Sequence, residues 1–256
     1  KYNRIVQSGL QNRSDDGLVQ AFPEIMAGNF GKIQMVRGLC YKNRTGIGKR
    51  STPLVPGKNI DYDLWLGPAK DEPIYREKLH YDWHWSWNTG NGDIGNQGPH
   101  EFDLIRWVLG DPGHPSEVIS FGGRFAWGDA GQTPNMQIAS LKFSDIPVLF
   151  EVRDLYLNPK TPAATSYKGH RIGVIVTCEG GEFRGGRGGG SIYDENNKKI
   201  KTWKGDAGFD HYPNFVRAVK SRDQNSLRCP IETGYRSSVL PHMCNISFRA
   251  GQEVAP

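Results

Sequence analysis

The alternation of apolar and polar positions divides this chain into a few helices around a long strand-rich stretch. Residues 1–9 hold a short apolar run ending at Gly9 and read as a strand. Ser14, Asp15 and Asp16 then offer an N-cap and an acidic first turn for a helix reaching Met26, kinked at Pro23 and ended by Gly28. Residues 32–42 return to a strand pattern, and 43–82 carry no clear period. A second helix is expected from Gly95 to Leu109, stopped at Gly110 with Pro112 beyond. Strands dominate from there, over 116–127, 135–143, 146–156, 170–178 and 190–203, with Asn196-Asn197 as a hairpin tip. Helices over 210–222 and 233–250 close the chain. A block of strands flanked by helices, without regular alternation, predicts an α+β fold: a large, mostly antiparallel open sheet with helices on one face. The other face needs cover, which a second subunit would provide.

Composition narrows the partners. The 256 residues suffice for one large domain or two small ones, and no run approaches the ~20 apolar residues of a membrane helix. The net charge of +5 has its most local source in Lys42, Arg44, Lys49 and Arg50, beside Gly46 and Gly48. No long basic run accompanies them, so an anionic or polyhydroxylated small substrate fits better than nucleic acid. Cys40, Cys178, Cys229 and Cys244 form no CxxC pair and read as free thiols rather than a zinc site or disulfide framework.

Residues 80–107 concentrate the candidate chemistry. At about 100° per residue, Phe102, Ile105, Val108 and Leu109 share one helix face. Asn96, His100, Asp103 and Trp107 share the opposite one. An imidazole beside an amide and a carboxylate can be oriented for proton transfer, and Tyr81, Trp83, Trp85 and Trp87 could stack on sugar rings. The competing reading is a hydrogen-bonded structural histidine under an aromatic lid. Gly90-x-Gly92-x-x-Gly95 matches the dinucleotide fingerprint formally. It lacks the apolar strand before it and the acid after the next strand, so it is read as coincidental. The glycines at 185–190 lack the Lys-Ser/Thr of a phosphate loop and read as a turn between strands. His80 and His84, with Asp82 between them, suggest a metal only if helical, which this aromatic segment is not; no metal is expected.

Several segments then become recognisable in order: Gln7-Ser8-Gly9-Leu10-Gln11-Asn12-Arg13-Ser14, Asp61-Tyr62-Asp63-Leu64-Trp65-Leu66-Gly67-Pro68-Ala69, the 90–107 motif, His211-Tyr212-Pro213-Asn214-Phe215, and Asn245-Ile246-Ser247-Phe248-Arg249. The series resembles the Gfo/Idh/MocA oxidoreductases, the group of glucose–fructose oxidoreductase and inositol dehydrogenase. The resemblance implies an N-terminal Rossmann domain binding NAD or NADP, followed by a C-terminal domain that binds substrate and oligomerises through its open sheet. On that basis residues 1–10 are the last strand of the Rossmann domain, 11–251 the substrate-binding domain and 252–256 a tail. The dinucleotide fingerprint and the family's catalytic Lys would precede Lys1.

His100 matches the family's catalytic His. The Asp that the family commonly places four residues earlier is Asn96 here, which leaves the proton path open, with Asp93 or Asp103 as substitutes. The resemblance makes Arg13, Lys49, Arg50, Trp83, His84, Asp93 and Asp103 candidates for holding substrate, and Trp65 a candidate border of the cofactor. It implies NAD(P)-dependent oxidation of a sugar, polyol or sugar derivative. Glycoside cleavage through transient oxidation, and a non-catalytic carbohydrate-binding or assembly module, are the alternatives. A homodimer or homotetramer is expected. Relatives with this glycine pattern resemble exported proteins carrying a twin-arginine signal, so periplasm and cytoplasm both stay open.

Overall fold

The computed structural model describes residues 4–155 and 166–251. Eight strands form one sheet: β1 (Ile33–Cys40), β2 (Glu117–Gly123), β3 (Met136–Phe143), β4 (Ile146–Arg153), β5 (Ile172–Cys178), β6 (Gly181–Gly186), β7 (Gly189–Tyr193) and β8 (Lys199–Lys204). Their spatial order is β2-β3-β4-β1-β5-β6-β7-β8. Every neighbouring pair is antiparallel except β1 and β4, which run parallel with Cys40 opposite Val152. The expected fold class is therefore the observed one.

Six helices accompany the sheet: α1 (Asp16–Met26), α2 (Tyr62–Leu66), α3 (Gly92–Asn96), α4 (Gly98–Val108), α5 (His211–Ser221) and α6 (Ile231–Gly251). Three of them cover one face. α1 lies on β7 and β8, α4 on β1 and β5, and α6 on β2 and against α4. Alternation along the strands supplies the matching surface, with Val36 and Cys40, Val148, Phe150 and Val152, and Val174 and Val176 all turned toward these helices. They meet Leu18, Phe22 and Ile25 of α1, Phe102, Ile105 and Val108 of α4, and Leu240 and Cys244 of α6. Each such side chain contributes about 1.5–3 kcal/mol on burial. Phe102 and Phe150 stack with centroids 3.9 Å apart. Gly38 makes that approach possible, since a Cβ there would come 2.6 Å from the Phe150 ring and 3.0 Å from Ile105.

Three local expectations change. The helix expected over 95–109 is two helices divided at Gln97. Pro99 disfavours a helical Gly98 as continuation of α3, yet suits the first turn of α4 because it has no N–H to satisfy. The segment at 1–9, where described, is not a sheet strand. Gln7 makes an isolated bridge to Pro230, and proline offers no N–H to extend the ladder. The glycines of 181–190 conceal two strands. Glu182 and Arg184 face one side while Phe183 faces the core, and only 187–188 form the turn. The expected tail at 252–256 lies outside the described residues.

Candidate functional site

The parallel pairing of β1 and β4 brings two carboxyl ends to the same edge of the sheet, and Lys42 and Asp154 leave it side by side. Connections leaving such ends are where α/β sheets assemble sites. The first turn of α4 stands over that edge and carries His100, whose backbone N–H donates to the Gln97 carbonyl at 3.1 Å. Its ring is partly buried. Burial holds its pKa below the ordinary imidazole value; Asp103 pulls the other way, while Arg187 and Lys42 reinforce burial. The positive end of α4 acts in the same direction as those cations. At neutral pH the ring is uncharged and able to accept a proton.

Asn96, on the last turn of α3, is fixed by Asp93. Its amide Nδ2 donates to Asp93 Oδ1 at 2.8 Å. Asp93 is fully buried and gripped by Arg44, with Nε 2.6 Å from Oδ2 and Nη2 2.9 Å from Oδ1. Burial works to raise the Asp93 pKa, but Arg44, Asn96 and His84 outweigh it, so the group is a carboxylate. Arg44 also donates through Nη1 to the Tyr81 hydroxyl at 2.7 Å. His84 is buried beside them, its Nδ1 2.5 Å from the Tyr81 carbonyl and its Nε2 3.8 Å from Asp93 Oδ1, and burial lowers its pKa. Gly90 lets the chain pass, because a Cβ there would overlap the His84 backbone.

Asp154 closes the cluster from β4. It is fully buried, and neither carboxyl oxygen meets a donor. Burial and the neighbouring Asp93 raise its pKa well above the usual carboxyl range. The Arg44 guanidinium is thus committed to Asp93, and Asp154 is the carboxyl of the two whose proton is held more tightly.

Aromatic side chains extend the site outward. Trp83 meets His84 edge-on with centroids 5.7 Å apart, and Trp65 stacks with Tyr62 at 5.6 Å. Trp65 and Trp83, with Pro68, Asn88 and Thr89, line an open cavity of about 420 Å³. Rings flanked by amide and hydroxyl groups suit a sugar face. A larger depression of about 870 Å³ lies at the opposite end of β5, around Cys178–Gly181 and Asp194–Asn197, away from His100.

The structure thus joins Asn96, Asp93, His84 and Trp83 into one connected group, and places Trp65 in a shared cavity with Trp83. It separates others. Arg13 is buried, with Nε and Nη2 on Asp103 at 2.9 Å and both terminal nitrogens on Asp111. Asp103 also accepts from Ser237 Oγ at 2.8 Å, so this pair ties α4 to the chain before α1 and to α6. The Gln97 break takes Asn96 out of the helix that carries His100 and Asp103, and the Asp103 charge still acts on the His100 ring. Lys49 and Arg50 are exposed, and Arg50 Nε reaches only the Thr52 carbonyl at 3.3 Å. Sequence singled out Arg44 only as one of a local group of cations and Tyr81 only as a ring that could stack on a sugar; Asp154 was missed, and its place as an acid ending an alternating strand was the one usable signal.

The formal dinucleotide fingerprint is internal packing. A 3₁₀ turn over Asp82–Trp85 precedes it, not a strand. Gly92, at φ +75°, backs onto Thr133, and Gly95 accommodates the Asn91 side chain. This motif is therefore not the strand–glycine–helix cradle of a dinucleotide.

Residues 32–123 match the family model for the C-terminal alpha/beta domain of the Gfo/Idh/MocA oxidoreductases. Over that stretch, a little over a third of the chain, the protein is similar to this family. No curated protein sequence matches it. Among solved structures, this chain is similar in fold to an inositol dehydrogenase homolog from Azotobacter vinelandii complexed with NAD+. That likeness has a TM-score of 0.69 at 13% identity, covering 97% of this chain and 64% of the other. It is also similar to the WlbA dehydrogenase from Bordetella pertussis, solved with NADH and UDP-GlcNAcA, at TM-score 0.60 and 17% identity over 96% and 61% of the two chains. UDP-N-acetylglucosamine 3-dehydrogenase GnnA from Acidithiobacillus ferrooxidans gives 0.54 and 12% over 96% and 62%. The chain spans less than two thirds of the length of each.

Proposed function

We propose that this chain is the substrate-holding part of an NAD(P)-dependent oxidoreductase acting on a sugar, polyol or sugar derivative. The observation that carries the reading is the His100 ring. It is neutral, partly open, set on the first turn of α4, and four residues after an amide, Asn96, that Asp93 holds. The nicotinamide supplies hydride acceptance. Its binding falls to a Rossmann segment of the same protein, with residues 1–10 as the junction, because the glycines of the formal fingerprint, Gly90, Gly92 and Gly95, are committed to internal packing.

His100 accepts the proton of the substrate hydroxyl as that carbon is oxidised. Asn96 turns its amide oxygen toward the substrate side, since its nitrogen is held by Asp93. Trp83, and Trp65 beside it, present ring faces to the sugar. Arg13 and Asp103 hold α4 in place. The exposed Ile119 and Phe121 lie on the sheet face away from α6, and that face supplies the interface of a homodimer or homotetramer.

The test is His100→Ala in the full-length protein, followed by NADH formation with a panel of sugars and polyols. Turnover should fall about 10²–10⁴-fold with cofactor affinity unchanged. In the wild type, activity should persist below the pH at which a free imidazole titrates, because the His100 pKa is lowered. Undiminished turnover in the variant removes His100 from the reaction.

A further inference from the structure

At the edge of the sheet beneath His100, β5 begins between the ends of β1 and β6. Gly173 is opposite Leu39 of β1, and Val174 opposite Gly185 of β6. Lys42 therefore leaves the sheet on one side of Gly173, and Arg187, in the β6–β7 turn, on the other. Two strand spacings separate those strands, about 10 Å. Continuing the alternation that buries Val36 and Cys40, Lys42 faces the helical side, and Arg187 continues the series of Phe183. The floor between them is free of side chains. Gly173 and Gly186 lie in contact, and a Cβ on Gly186 would come 3.0 Å from the Gly173 Cα.

Neither cation forms an ion pair with a described side chain, and the buried Glu101, within electrostatic reach of Lys42, has its pKa raised well above the usual carboxyl range by burial. Lys42 makes no described ion pair, and the Arg187 Nε bonds only to the Ala207 carbonyl at 3.3 Å. Of the carboxylates by this turn, Asp15 accepts from the N–H groups of Gly17, Leu18 and Gly188 as the N-cap of α1, and Asp206, beside Ala207, accepts from those of Asp16 and Gly208. Both cations also reinforce the lowering of the His100 pKa, in keeping with the helical side that strand alternation gives them.

We propose that Lys42 and Arg187 form a receptor across the Gly173 floor for an oxyanion, a carboxylate or phosphate carried by the molecule that His100 meets. The site takes acidic sugar derivatives in preference to neutral sugars. The glycines that resembled a phosphate loop thereby gain a role: they bring an arginine to the site and clear the floor under the anion. This deepens the reading of the site as an oxidoreductase's, but it stands or falls on binding alone. Turnover can be absent while the receptor works, and present while it does not.

The experiment is calorimetric titration of the chain with glucuronate, glucose and inorganic phosphate at low and high salt, repeated with Lys42→Ala and Arg187→Ala. Glucuronate should bind more tightly than glucose, weaken with salt, and lose about tenfold or more in affinity in each variant, the effect of removing one charge-assisted contact. Glucose should be unaffected by either substitution. Phosphate binding lost in both variants, with glucuronate inert, keeps the receptor and makes a phosphate ester the source. Equal affinities for glucuronate and glucose, or anion binding untouched by both substitutions, overturns it. Circular dichroism of each variant checks that the fold is retained.

Discussion

Asn96 gives its amide hydrogen to the buried carboxylate of Asp93, 2.8 Å away, and that one bond decides which end of the amide the site sees. The reverse orientation would set two oxygens against each other in a dry environment. Where relatives are expected to hold a carboxylate, this chain holds a neutral acceptor, and the negative charge sits one step behind it, compensated by Arg44.

Asn96→Asp should therefore be unfavourable at neutral pH. The new carboxylate would face Asp93 with no added cation, so its pKa in the folded state rises. Stability is full at acid pH and falls as pH rises through that raised value. A loss of about 1–3 kcal/mol at pH 7, shrinking toward pH ~4, is expected from urea melts. A loss independent of pH would mean the amide is oriented the other way.

Asp154→Asn tests the second carboxyl of the cluster. The folded-state pKa of Asp154 is raised, so the wild type loses stability as pH climbs from the ordinary carboxyl range through the raised value. The amide variant cannot ionise and escapes that loss. Its melting temperature should equal the wild type's near pH ~4 and exceed it increasingly toward pH ~8. A constant difference across this range would show that Asp154 is already ionised in the folded protein.

Little of this cluster was legible in the sequence, and the reason is topological. Alternation and turn residues placed α1, α5, α6 and seven of the eight strands. β6 escaped because its glycines look like a turn, although Glu182-Phe183-Arg184 alternates properly. The pairing of β1 with β4 joins residues more than a hundred positions apart, so nothing local announces that Asp154 meets Asp93 and Arg44. The resemblance supplied His100 and Asn96. It also suggested Arg13 and Asp103 as substrate contacts, where burial and mutual pairing make them an internal tie.

Arg13→Ala should damage stability far more than chemistry at the site. It would leave Asp103 buried without its guanidinium, at a cost of about 3–5 kcal/mol. At about 2–4 °C per kcal/mol, calorimetry should record a melting point lower by roughly 6–20 °C. Arg13→Lys should recover only part of this, because one ammonium cannot bridge Asp103 and Asp111 with the same fork. A melting point within about 1 °C of wild type would contradict the role assigned to the pair.

Phe121→Lys addresses the uncovered sheet face. Phe121 is 61% exposed and Ile119 55%, both on edge strand β2. A charge there should shift sedimentation toward monomer while leaving the melting point of the isolated subunit within about 1 °C, since little buried area is lost. Unchanged self-association would place the interface elsewhere.

The lone parallel pair has an evolutionary consequence. The excursion over 41–82 after β1 and the chain leaving β4 at Asp154 depart from neighbouring points on one rim, and the main core under the helices is built from residues that neither excursion contributes. Such an arrangement separates inheritance from adaptation: selection could exchange either excursion, and with it the accepted substrate, while the packed layer below is passed on intact.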